Sequence, residues 1–264
     1  MYAFDYHRPG TIADALALLA DDPDARPIAG GQTLIPTLKQ RLAMPTALVD
    51  LAGLPGLRTI AAEGDGVTIG AMATHGAVAA DPIVRSLIPS LADLAGQIGD
   101  QLVRNRGTMG GSIANNDPAA DYPAALLALD AVIRTDRRAI TSGDFFTGMF
   151  ETALTPGEIV TAVHVPRPIR GCYRKIRNPA SRYALAGAFV AQTAAGVRVA
   201  VTGAAPAVFR WAAAEAALAR DWSAAAIRPL SLDPGGLNSD MHAAADYRAH
   251  LVRVMVERAV DAAI

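Results

Sequence analysis

The sequence predicts an α+β fold built as three successive units, and three observations carry that prediction. Short apolar runs of strand character alternate with segments of helical spacing along the whole chain. Two glycine-rich stretches interrupt them, Ala29-Gly30-Gly31-Gln32-Thr33 and Gly107-Thr108-Met109-Gly110-Gly111-Ser112. The proline pair in Pro166-Arg167-Pro168 ends a strand and marks a boundary before the last third of the chain.

The first unit, residues 1–56, reads as β-α-β-turn-α-β. Thr11 is a plausible N-cap for a helix whose Ile12, Ala15, Leu16 and Leu19 share one face. Arg26-Pro27-Ile28-Ala29 then enters the first glycine pair, and Thr46–Leu51 is a short strand ending near Pro55-Gly56. The second unit, 57–166, opens with Leu57–Ala62 and Val67–Ala71 on either side of Glu63-Gly64-Asp65-Gly66, a hairpin signal. A helix is expected after Thr74 and another from about Ser86 to Ile98, followed by the second glycine stretch, an apolar run from Ala124 to Val132, and the strand Glu158–Val165. In the third unit, 170–264, Leu185–Thr193 and Val197–Ala204 read as strands joined at Ala194-Ala195-Gly196, with helices at Ala212–Ala219 and His242–Ala263.

Composition narrows the function classes. The 264 residues are 52% hydrophobic and 19% charged, so the chain folds around a sizeable core, as one large domain or two. A net charge of -1 with no basic run leaves nucleic-acid binding without an electrostatic source. No apolar run approaches the roughly 20 residues of a membrane helix, and the start carries no signal-peptide pattern, so a cytoplasmic protein is expected. Cys172 is the only cysteine, so this chain's thiolates cannot ligate an iron–sulfur cluster by themselves.

The glycine stretches are the strongest chemical signal. A diphosphate is bound by backbone N–H groups that no Cβ obstructs, and consecutive glycines ahead of a helix supply them. Gly30-Gly31 fits that description, with Thr33 able to add a hydroxyl, although a tight strand-to-helix turn would look the same. The second stretch is expected to offer another run of exposed N–H groups, and a valine at Gly110 is expected to block a ligand while sparing the fold. Two such stretches suggest one ligand clamped between two lobes. Neither matches a G-x-G-x-x-G dinucleotide fingerprint or a P-loop.

The chain resembles the FAD-binding medium subunits of the xanthine dehydrogenase and carbon monoxide dehydrogenase group of molybdenum hydroxylases. The resemblance rests on Phe4-Asp5-Tyr6-His7-Arg8-Pro9, Ala29–Pro36, Arg104–Asp121, Asn178–Ala184 and His242–Arg248, and it covers essentially the whole chain. It implies a two-lobed FAD-binding domain of the vanillyl-alcohol-oxidase-like type and a C-terminal domain with a three-stranded antiparallel sheet and helices. It also implies that Ile28, Ala29, Gly30, Gly31, Gln32, Thr33 and Leu34 wrap the diphosphate from one side, with Gly107, Thr108, Gly110, Gly111, Ser112 and Asn115 on the other. By the same resemblance Thr74 lies near the flavin, Asp121 anchors a polar part of it, Ile98 and Ile159 lie on the adenine side, and Lys175 and Tyr183 reach the isoalloxazine ring. Many members have Asn at the position of Ser112 and a Gly-Asp-Phe-type turn at Ser181-Arg182-Tyr183.

The implied role is electron transfer. A large subunit with a molybdenum cofactor oxidises the substrate, a small subunit with two 2Fe–2S clusters relays electrons, and FAD on this chain passes them to an acceptor. The three subunit types are commonly doubled in one complex. A flavin-free scaffold or assembly protein of the same fold is the rival reading. The remaining candidates are weaker: the histidines lack metal-ligand spacing. Asp117, four residues before Asp121, is expected to act as an N-cap, and Cys172 to be a packing residue. The aromatic stretch Ser142–Phe150 is either a core-facing turn or a patch for a partner subunit.

Overall fold

The computed structural model describes residues 1–264. In the first unit β1 (Asp5–His7), α1 (Ile12–Asp21), β2 (Arg26–Ile28), α2 (Leu34–Lys39) and β3 (Ala47–Asp50) follow one another. The three strands are parallel in the order β1-β3-β2. Thr11 accepts the Asp14 N–H and starts α1, which buries Ala15 and Leu19 against Val49 in a core of ten residues.

The second unit begins with β4 (Ile60–Glu63) and β5 (Gly66–Gly70), paired around the Gly64-Asp65 turn. Six helices follow: α3 (His75–Ala80), α4 (Pro82–Leu87), α5 (Pro89–Gly96), α6 (Gln101–Arg106), α7 (Met109–Asn115) and α8 (Tyr122–Ala128). Then come β6 (Val132–Thr135), β7 (Ala139–Thr141), α9 (Ser142–Phe145), the small hairpin of β8 (Phe146–Gly148) and β9 (Glu151–Thr152), and β10 (Val160–Pro166). The antiparallel sheet has the order β4-β5-β10-β6-β7.

Three expectations change here. The helix expected from Ser86 to Ile98 is two helices, because Pro89 forces Ile88 out of the helical region (φ −139°, ψ 65°) and then starts α5 at its N1 position. The glycines of the second stretch do not all precede a helix: Thr108 caps α7 by accepting the Gly111 N–H, so Gly110 and Gly111 lie in its first turn. Asp117 caps no helix; its Oδ1 accepts the Ala119 N–H at 2.8 Å in a tight local turn ahead of α8.

The third unit contains β11 (Arg170–Arg177), β12 (Ala184–Thr193), β13 (Gly196–Thr202), β14 (Phe209–Arg210), α10 (Ala212–Arg220), α11 (Ala224–Ile227) and α12 (Ala245–Asp261). The antiparallel order is β11-β12-β13-β14. The expected three strands therefore gain a fourth at one edge, where Phe209 and Arg210 pair with Val201 and Ala200 just before buried Trp211 turns the chain into α10. This sheet is covered on both faces. Tyr173, Phe189, Ala191 and Ala200 join the 30-residue core of the second unit, whereas Cys172, Ala188, Val190 and Val199 pack against Met255 and Val256 of α12.

Candidate cofactor-binding cavity

The two glycine stretches meet. A Cβ built on Gly30 would fall 2.3 Å from the Arg106 carbonyl oxygen and 2.8 Å from Gly107 Cα, so only glycine permits this approach of the first lobe to the second. Beside that contact opens a cavity of about 710 Å³, within the range of small-molecule sites. Ile28, Ala29, Gly30, Gly31, Gln32, Thr33 and Leu34 line it from the first unit. Ile98, Gly107, Thr108, Gly110, Gly111, Ser112, Asn115, Asp121 and Ile159 line it from the second, and Ser181, Arg182 and Tyr183 from the third.

The two stretches offer different chemistry. The N–H groups of Gly30, Gly31, Gln32, Thr33 and Leu34 make no backbone hydrogen bond in the folded chain, so five consecutive donors are left for a ligand. The run of free N–H groups expected in the second stretch is absent. Met109 N–H donates to the Ala73 oxygen (3.0 Å), Gly110 N–H to the Ala71 oxygen (2.8 Å) and Gly111 N–H to the Thr108 hydroxyl. The first two bonds fasten α7 to the segment that follows β5, which makes the second stretch a wall. A Cβ on Gly110 would lie 2.6 Å from Ala71 Cβ, so a valine there strikes the protein's own packing, contrary to the expectation that it would spare the fold.

Two residues expected at the flavin stand behind the cavity. Thr74 is not in its lining; its hydroxyl accepts the Ala77 N–H as the N-cap of α3, and it bridges to Thr108. Lys175 is also outside the lining, with a fully buried side chain whose Nζ lies 2.8 Å from Asp121 Oδ1 and 3.0 Å from Oδ2. Asp121 does line the cavity, and the Tyr173 hydroxyl donates to its Oδ1 at 2.5 Å. Burial raises the Asp121 carboxyl, against the lowering effect of the Lys175 charge. Tyr183 is 44% exposed, and burial, then Asp117 and Asp121, push its hydroxyl up.

Sequence reasoning missed two further residues. His75 lines the cavity beneath Gly107, is 4% exposed, and stacks obliquely on Tyr122 with ring centroids 5.4 Å apart. Its Nδ1 and the Tyr122 hydroxyl have no hydrogen-bond partner, and burial, reinforced by Arg104, lowers the imidazole to about 4. A lone histidine after Thr74 gave no signal of this. Glu158 lines the cavity beside Ile159, with its carboxylate held by Arg138, Thr135 and Thr155; Arg138 above all lowers it well below the usual carboxylate range.

Residues 2–168 match the family model described as the FAD binding domain in molybdopterin dehydrogenase. The chain belongs to that family. Among its relatives the nicotine 6-hydroxylase medium subunit of Paenarthrobacter nicotinovorans is 36% identical over 277 residues, spanning 98% of this chain and 96% of the relative. The carbon monoxide dehydrogenase medium chain of Hydrogenophaga pseudoflava is 34% identical over 285 residues, 98% of this chain and 96% of the relative. Among solved structures, the reconstituted CO dehydrogenase from Oligotropha carboxidovorans superposes with a TM-score of 0.91 at 35% identity, covering 98% of this chain and 97% of the other. This member of the molybdopterin dehydrogenase FAD-binding family is thus an FAD-binding oxidoreductase subunit, similar to the medium subunits named above, and the flavin-free scaffold reading is set aside. No helix is long and apolar enough to cross a membrane.

Proposed function

We propose that the cavity holds FAD with its diphosphate on the Gly30–Leu34 amides, and that electrons reach the flavin from the clusters of a small 2Fe–2S subunit. A large molybdenum-cofactor subunit oxidises the substrate in the same complex, a trimer of subunit types that can double. The observation that carries this reading is the set of five free amides in a stretch that lines the cavity together with residues of the other lobe. FAD suits the residues present: two negative phosphates match a run of unpaired N–H donors, and the apolar Ile28, Ile98 and Ile159 suit a ring system. The flavin, when bound, supplies the two-electron to one-electron redox chemistry.

The chain's own residues bind and orient. Gly30 and Gly107 hold the lobes in contact, Ser112 and Asn115 offer polar side chains, Asp121 faces a polar part of the cofactor, and Tyr183 stands at the rim. The separate parallel sheet of the first unit, the five-stranded antiparallel sheet of the second and a 17-residue core lying wholly within the third support a division into lobe 1 (1–56), lobe 2 (57–166) and a C-terminal domain (170–264), with a two-lobed FAD domain of the vanillyl-alcohol-oxidase-like type. The test is a visible spectrum of the tagged chain, purified alone and co-expressed with its partner subunits, after addition of FAD. Bound flavin in the complex is the expected result; a folded chain that takes up no FAD in either form overturns the reading.

A further inference from the structure

Lys175 is the one buried ammonium next to the cavity, and it touches two parts of the cavity wall without reaching the cavity itself. One contact is the carboxylate of Asp121 just before α8; the other is the main-chain oxygen of Arg182, 3.1 Å from Nζ. Arg182 lies in the Asn178–Tyr183 turn between β11 and β12, where its φ of 63° is a conformation that a non-glycine side chain rarely adopts.

The turn is otherwise closed on itself. Asn178 N–H donates to the Tyr183 oxygen (2.8 Å) and Arg182 N–H to the Asn178 oxygen (2.9 Å). Asn178 Oδ1 accepts from the Ala180 and Ser181 N–H groups, and the Ser181 hydroxyl accepts from the Tyr183 N–H. Only the Lys175 bond to the Arg182 oxygen leads out of it, and through Lys175 it leads to Asp121. The Asp121 end is firm, because the Tyr173 hydroxyl fixes the same carboxylate at 2.5 Å.

We infer that Lys175 is a positioning residue of the flavin site: it latches the Asn178–Tyr183 turn to Asp121, so that Arg182 and Tyr183 keep one arrangement over the cavity. The inference rests on the flavin reading of that cavity. A buried ion pair loses most when one partner alone is removed, and far less when both are replaced by neutral groups of similar shape. That difference separates loss of the latch from loss of the fold.

The experiment compares the full chain with Lys175→Met, Lys175→Arg and the charge-balanced double variant Asp121→Asn/Lys175→Met. Hydrogen exchange of residues 178–183 is followed without ligand, and FAD release is followed in chain loaded with FAD within its complex. Loss of a charge-assisted hydrogen bond predicts exchange in the turn and FAD release each faster by about 10- to 100-fold in Lys175→Met and in the double variant. Lys175→Arg, which keeps a cation with donors, recovers most of both. Wild-type exchange in the turn of both Met-containing variants overturns the latch, and so does faster exchange with unchanged FAD release. If wild-type chain takes up no FAD while exchange still responds, the latch stands as a structural tie and the flavin reading falls.

Discussion

His75 shows how one side chain couples the site to pH. Its ring is buried between Gly107 and Tyr122 with no partner for Nδ1; burial disfavours its protonation, and the Arg104 charge does so as well. The folded chain therefore keeps the ring neutral down to about 4, whereas an unfolded chain protonates it near 6.5. The unfolded state binds more protons between those values, so the contribution of His75 to stability is complete above pH 6.5 and is lost as pH falls toward 4, by about 3 kcal/mol in all. Unfolding free energies measured from pH 7 to 4 should fall in the wild type and lose much of that slope in His75→Asn. An equal slope in both would show that the ring titrates normally. Nothing in the sequence around Thr74-His75-Gly76 announces this, because a histidine's burial depends on Tyr122 and Gly107, which only the fold brings beside it.

At the scale of elements, local signals were legible where local chemistry decides the outcome. The Thr11 cap and the Gly64-Asp65 turn lie where the pattern puts them, and so does the first glycine turn ahead of α2. The break at Ile88-Pro89 was also written in the sequence, yet the apolar spacing from Ser86 to Ile98 hides it. β11 escaped because a strand covered on both faces does not alternate: Gly171, Cys172 and Tyr173 are buried in succession. The second glycine stretch misled for a different reason, since its amides are engaged by Ala71 and Ala73, partners that are remote in sequence. The aromatic stretch divides: Phe145 is in the core, while Met149 and Phe150 are exposed at the tip of the β8–β9 hairpin. Asn116 joins that hairpin to α7, donating from Nδ2 to the Gly148 oxygen (2.9 Å) and the Glu151 oxygen (2.7 Å) while it ends the helix at φ 42°. Asn116→Ala removes both bonds and places alanine in a left-handed conformation, so a loss of about 3 kcal/mol is expected, with a smaller loss in Asn116→Gly. Denaturant midpoints should rank wild type above glycine above alanine; equal midpoints would mean that the hairpin is not held by this residue.

For the whole molecule the question is whether the third unit is an appendage or part of the flavin-binding body. The second core answers by its membership: Tyr173 and Phe189 of the third unit, both fully buried and stacked at 6.4 Å, sit among Leu91, Leu94 and Leu126 of the second. Asp121 with Tyr173 and Lys175, and Pro118 with Thr202 and Gly203, add hydrogen bonds across the same boundary. Such continuity should make residues 57–264 unfold together, although the chain's length invites separate domains. Both tryptophans, Trp211 and Trp222, lie in the third unit, so their fluorescence reports that unit alone, and hydrogen exchange of β5 and β10 reports the second. Phe189→Ala should cost about 3–5 kcal/mol through the cavity it leaves, and it should move both reporters to lower denaturant by the same amount. A tryptophan transition that shifts while exchange in β5 and β10 keeps its wild-type protection would mean that the units fold independently, and that the cavity wall contributed by Ser181–Tyr183 can detach from the glycine turns it faces.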